Sequence, residues 1–498
     1  MTYLLGLDIG SSSIKASIVN ATTGVSVATA QSPAEEMPML AVKPGWAEQD
    51  PDMWWEHAVI AFRSCIAKSG IDPKQIESIG ISYQMHGLVV VDKNLKPLRP
   101  SIIWCDSRAV PFGEQACNDL GENYCLEHFL NSPGNFTAAK LKWVQQNEPQ
   151  LYEKIFKIML PGDYITLKLS GEVVTTDSSL SEGIFWDYKS KSVSEKLLSY
   201  FKFDKSVLPE IKPVFSVHAQ IRKDVAEQLG LNPAVKIGYT SGDQPNNAFS
   251  LNVLNPGETA ATAGTSGVIY GVTDKNAFDE KSRVNTFIHV NNTAQKISNG
   301  VLLCINGTGI LNSWLRKNTK ASGDSYAYEA MNDLAAKAPI GSDGLTVLPF
   351  GNGAERILQN KSIEASFHGL NFNQHSQSHI FRAAQEGIVF SLRYGFDILQ
   401  AMGLKTSVIR AGKANMFLSP LFREAFVNTI GSPLELYNTD GATGAAIGGG
   451  VGAGIFKNFN EAFNGLTRIG SEAPDKSKSQ EYEEAYQKWK SKLDLYIK

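Results

Sequence analysis

A chain of 498 residues is too long for one core, and two large domains are expected. Its 43% hydrophobic and 19% charged residues are those of an ordinary globular protein, and 47 basic against 50 acidic side chains leave a net charge of -3, which gives no reason to expect nucleic acid or an anionic membrane as partner. No apolar run approaches the roughly 18 residues of a membrane span; the first lysine is Lys15, so the start lacks the basic segment of a signal peptide, and a cytoplasmic location is the expectation.

The opening stretch LLGLDIGSSSIKASIV predicts a β-hairpin. Leu4, Leu5, Leu7 and Ile9 read as a mostly buried strand. Ile14, Ala16 and Ile18 alternate with Lys15, Ser17 and Val19 in a second one. The turn Gly10–Ser13 offers consecutive backbone N–H groups and the small hydroxyls of Ser11, Ser12 and Ser13, an arrangement that suits phosphate oxygens. Asp8, at the strand end beside it, is placed to hold a magnesium ion directly or through water. The competing reading makes Asp8 a turn residue and the serines plain surface.

MWWEHAVIAFRSCIAKSG has helical spacing with Gly70 as its stop, and SIGISYQMHGLVVVD is a strand, a glycine turn and another strand. Five cysteines (Cys65, Cys105, Cys117, Cys125, Cys304) form no CxxC and are expected to be reduced and buried. Asp163, in LPGDYITLKLSG, reads as a structural turn. The small-residue stretch from Tyr239 to Tyr270 looks like a junction, with the boundary near 245, giving domains 1–244 and 245–498. Within it AATAGTSGVIY repeats the logic of the opening hairpin, with Gly264, Thr265, Ser266 and Gly267 as a second phosphate cradle, so that two similar lobes would grip one nucleotide. Glycine density peaks in 238–267, 300–309, 341–353 and 441–454. DGATGAAIGGGVGAGIF at 440–456 reads as a small-residue helix beneath an adenosine site rather than a dinucleotide loop. The tail 478–495 reads as a charged amphipathic helix packed on the surface.

GLDIGSSSIK, GWAEQDPDMWW, GISYQMHGLVVVD, RPSIIWCDSR, SGDQPNNA and AGTSG resemble, in order and spacing, the FGGY carbohydrate kinases over essentially the whole chain. That resemblance implies an α/β fold of two actin-like, ribonuclease-H-like domains around a central cleft, with ATP and Mg2+ as cofactors and a small sugar as substrate. Asp243 matches the family's catalytic base, which takes the proton of a sugar hydroxyl; in isolation it could equally cap a helix beginning near Pro245. Asp8 then organises metal and phosphates. Gln84, Met85 and His86 sit where the family reads its sugar, with Gln244 beside the base. The Gln-Met-His-Gly pattern implies D-xylulose, phosphorylated at its terminal hydroxyl, with ribulose, a deoxy sugar or another polyol as the alternative. Trp104 and Asp106, with Arg108, resemble a second sugar block, although a buried tryptophan beside an Asp–Arg ion pair would look the same. For the nucleotide the resemblance carries over Ser11, Ser12, Ser13, Lys15, Gly264, Thr265, Ser266, Gly309, Gly412 and Asn415. Two departures stand out: Ala414-Asn415-Met416-Phe417 replaces consecutive glycines, and Gln385 replaces an apolar residue. A homodimer is left open. From a different class, an actin- or chaperone-like ATP switch would need the phosphate hairpins but no sugar pocket.

Overall fold

The computed structural model describes residues 1–320 and 325–497. Strands β1 (Tyr3–Ile9), β2 (Ile14–Asn20), β3 (Ser26–Ser32), β4 (Ile76–Tyr83), β5 (Ala219–Gln220) and β6 (Lys236–Gly242) form a six-stranded sheet in the order β5-β6-β4-β1-β2-β3. Strands β7 (Glu258–Ala263), β8 (Gly267–Thr273), β9 (Asn285–Ile288), β10 (Asn299–Ile305), β11 (Val408–Gly412), β12 (Leu434–Tyr437) and β13 (Arg468–Glu472) form a seven-stranded sheet in the order β9-β10-β8-β7-β11-β12-β13. Both sheets mix parallel and antiparallel pairs and carry helices, as the α/β expectation requires.

Both expected hairpins form, with β1 pairing β2 and β7 pairing β8 antiparallel. Helix α1 (Pro51–Ser69) ends at Gly70, whose φ of 67° is the left-handed cap that glycine accepts without strain. The alternation in β2 holds only in part, because Ser17 and Val19 are as buried as Ile14 and Ile18. A second layer covers that face. Helix α2 (Gly441–Gly452) packs across β1, β4 and β6, and Ser17 meets Thr443 with their hydroxyl oxygens 3.0 Å apart.

The glycine-rich stretch forms the tightly packed small-residue helix expected. Its bare backbone lies directly on the first sheet: a Cβ at Gly80 would fall 1.8 Å from the carbonyl oxygen of Ala445. The tail forms the amphipathic helix expected, packed by one face on the second half. Helix α3 (Lys476–Ile497) buries Tyr482, Tyr486, Trp489 and Leu493 in the apolar core of the second half, each worth roughly 1.5–3 kcal/mol of transfer. All five cysteines are free, but only Cys65 and Cys125 are buried; Cys105 is exposed and Cys117 and Cys304 are half-buried. Among the described residues no helix is long and apolar enough to cross a membrane.

Candidate active site

Three parallel strands end at one cleft. Register aligns Asp8 of β1 with Ser82 of β4, and Ser82 with Ser241 of β6, so Asp8, the Gln84–His86 turn and Asp243 leave neighbouring strand ends. The cleft, about 490 Å3, is lined by Asp8, Ser11, Ser12, Ser13, Lys15, Gln84, Met85, His86, Trp104, Asp243, Gln244 and Ser266 from among the expected residues.

Asp8 accepts a hydrogen bond from the Ser82 hydroxyl at 2.8 Å. Burial raises its pKa, against the pull of Lys15 and Ser82. The turn after it closes with Gly10 N–H donating to the Ser13 carbonyl at 3.2 Å. Trp104 is not a buried tryptophan: it is 49% exposed, and its indole N–H donates to Ser11 Oγ at 3.3 Å.

Asp243 is the first residue of a helix, Asp243–Ser250, whose cap position is Gly242 with no side-chain capping bond. The capping alternative therefore falls. The carboxylate accepts from Gln244 Nε2 at 3.2 Å. Burial, and then the charge of Asp8, push the Asp243 pKa up to about 7. A carboxyl poised there can take a proton near neutral pH.

His86 has a φ of 62°, uncommon for a residue with a side chain. Its Nδ1 lies 3.1 Å from the Glu182 carbonyl. A carbonyl only accepts, so Nδ1 carries the hydrogen and Nε2 is free to accept from a ligand hydroxyl. Burial, then repulsion from Lys140, hold the imidazole pKa down to about 3, so the ring is neutral. Glu182 is held well above the usual carboxylate range by burial, and accepts from the Tyr83 hydroxyl at 2.6 Å. Met85 fits because β6 ends in glycine: a Cβ at Gly242 would lie 2.7 Å from Met85 Cγ.

Asp106 stands apart from the cleft lining. It is fully buried and accepts from the Ala47 N–H at 2.6 Å and from the Arg108 guanidinium at 2.6 to 3.0 Å. Its oxygens are committed to that ion pair, so of the two readings of this block the structural one holds for Asp106. Gly264, Thr265, Gly309 and Asn415 form a cluster outside the cleft lining. Gly309 N–H donates to the Gly264 carbonyl at 2.9 Å, and the Ile310 N–H to Thr265 at 3.2 Å. The Asn415 amide nitrogen would stand 3.5 Å from a Cβ at Gly264. Gly412 closes β11, which runs parallel to β7, and so lies along the same edge of the second sheet. Gln385 has a plain role: fully buried, it donates to Asn332 and accepts from Ser419, both at 2.9 Å.

The sequence reading missed Asn135, Phe136, Asn285, Cys304 and Arg356, all of which line the cleft. Two glycine peaks signal part of this set: 300–309 holds Cys304, and 341–353 ends just before Arg356.

Residues 3–250 match the model of the N-terminal domain of the FGGY family of carbohydrate kinases, and residues 259–453 match that of its C-terminal domain. The chain is 28% identical to a xylulose kinase of Haemophilus influenzae over 98% of this chain and 99% of that one. It is 27% identical to a xylulose kinase of Bacillus subtilis over 100% of this chain and 96% of that one. The solved structure of a ligand-bound xylulose kinase from Lactobacillus acidophilus shares the fold, with a TM-score of 0.90 at 23% identity over 99% of this chain and 98% of that one.

Proposed function

Because this chain belongs to the FGGY family of carbohydrate kinases, we propose that it transfers the γ-phosphoryl group of ATP to the terminal hydroxyl of D-xylulose, with Asp243 as the general base. The observation that carries this reading is the position of Asp243: free of capping duty, with its pKa raised to about 7, and in one cleft with Met85, His86 and the first phosphate hairpin. The sugar hydroxyl gives its proton to the Asp243 carboxylate, its oxygen forms the new bond to phosphorus, and ADP leaves with the electrons of the broken bond. His86 Nε2 accepts from a sugar hydroxyl while Met85 walls the carbon chain. Lys15 and the serines of the turn hold phosphate oxygens.

The residues present fit the nucleotide and its metal. A Cβ at Gly264 would meet nothing closer than 3.5 Å, which leaves the second turn open to a phosphate. Among the described residues no group of three or more His, Cys, Asp or Glu could hold a metal by itself. That suits a magnesium ion held by Asp8 together with water and substrate phosphates, where it would neutralise phosphate charge. The two lobes are residues 1–244 and 245–498. Every strand of the six-stranded sheet lies before Asp243 and every strand of the seven-stranded sheet after Gly257, and α2 reaches back across the first. The reaction belongs in the cytoplasm, where ATP is made.

A screen of ATP consumption over ketoses, aldoses and polyols tests the substrate. D-xylulose is expected to give the highest kcat/KM; a clear preference for another sugar overturns the xylulose reading and leaves the kinase in place.

A further inference from the structure

Arg356 lines the same cleft as Asp243 and His86, yet no carboxylate among the described residues neutralises it. Its guanidinium donates to the Ser282 carbonyl at 3.3 Å and lies 5.8 Å from the centroid of the Phe136 ring. Among the described residues it makes no ion pair with a carboxylate. The adjacent Glu355 is turned away, accepting from the backbone N–H groups of Asn306 and Gly307 at 3.0 and 3.1 Å. Burial lowers the arginine's pKa, but an arginine remains charged. Three further polar atoms of this cleft are buried and unpaired: Oε1 of Gln84, Oδ1 of Asn135 and Oδ1 of Asn285. They come from different halves of the chain. A cavity that leaves a donor-only cation without a counter-charge and three amide oxygens without partners is completed by a ligand carrying both an acceptor and hydroxyls.

The chemistry of the proposed acceptor supplies that ligand. In a 2-ketopentose the terminal O5 is the atom that closes the furanose ring on C2, so a molecule with O5 free for phosphorylation is open-chain and carries an unmasked C2 carbonyl. That oxygen only accepts, and an arginine only donates. We propose that Arg356 donates to the C2 carbonyl oxygen of the open-chain ketose while Asn135 and Asn285 accept from its hydroxyls, which makes Arg356 the residue that tells a ketose from its alditol. This rests on the reading of the substrate as a ketose phosphorylated at its terminal hydroxyl. The neighbours agree with the two ends of such a chain. Arg356 stands on the His86 side, reached through Phe136, whose ring centroid is 4.8 Å from that of His86. The acidic charge that bears on Asp243 is that of Asp8, at the phosphate hairpin.

The test is kcat/KM for D-xylulose against xylitol and D-arabinitol, its two C2-reduced forms, in wild type, Arg356→Gln and Arg356→Lys, with ATP affinity and thermal midpoint as controls of folding. Wild type should favour the ketose. Arg356→Gln should lose about 10- to 100-fold on the ketose, the weight of a hydrogen bond from a charged donor, and less than about threefold on the alditols. Arg356→Lys, which keeps charge and packing, should fall between. Calorimetry of sugar binding without ATP should show the same selective loss. Equal losses on ketose and alditol, or an unchanged ketose constant, overturn the assignment while the xylulose reading stands. A wild type indifferent to the carbonyl overturns both. Preference for a different ketose overturns xylulose only, and the comparison is then read on that ketose and its alditols.

Discussion

Asp8 and Asp243 end two parallel strands that flank a third, and the negative charge of Asp8 adds to burial in holding the Asp243 carboxyl up to about 7. One carboxylate thereby tunes the other. The residue that would organise phosphates also keeps the base from being too acidic to accept a proton.

Replacing Asp243 with asparagine keeps the shape and removes proton acceptance. Turnover should fall by at least about 100-fold, the lower end of general-base contributions, with sugar affinity by calorimetry nearly unchanged. Near-normal turnover would place the base elsewhere.

The same raised pKa has a stability consequence. The folded protein holds the Asp243 proton more tightly than the unfolded chain, whose carboxyl titrates near 3.8, so this site disfavours folding increasingly as pH rises from about 4 to about 7. Asp243→Asn removes that penalty. Because the cleft leaves the side chain partly open to water, the gain is only about 1 kcal/mol, seen as a higher thermal midpoint than wild type at pH 8 and a much smaller difference at pH 4. A lower midpoint for the variant at pH 8 would contradict the strained carboxylate.

Activity should follow the base. The acid limb of kcat/KM is expected near pH 7 and should arise from a carboxyl, since burial keeps the His86 imidazole neutral down to about pH 3. His86→Ala should erode sugar preference yet leave that limb in place. Loss of the limb in His86→Ala would reassign the titrating group.

Gly264→Val should weaken ATP binding by at least about tenfold, because its branches project into the open mouth of the second turn. The space around that position holds nothing within 3.5 Å, so the thermal midpoint should hold. Gly309→Ala is the contrast: its Cβ would fall 2.3 Å from the Gly264 carbonyl oxygen, and both midpoint and ATP affinity should drop. Unchanged nucleotide affinity in Gly264→Val would remove the second turn from the phosphate site.

Sequence alone determined what is local or strictly ordered. The two hairpins, the strand carrying Asp8, the helix ending at Gly70 and the block Gln84–His86 are written in neighbouring residues, because strand alternation, turn chemistry and left-handed glycines act over a few positions. Tertiary structure decided the rest. Asp106 could have faced a sugar, but Arg108 and the Ala47 amide, brought together by folding, take its oxygens. The serine and valine of β2 could have faced water, but a helix some 420 residues later covers them. Arg356, Asn135 and Asn285 carry no local pattern, since a binding wall assembled from three distant segments leaves no periodicity in any of them. Nor could the pKa of Asp243 be read from its neighbours in the chain. It depends on burial and on the field of Asp8, and both exist only once two strand ends are placed side by side.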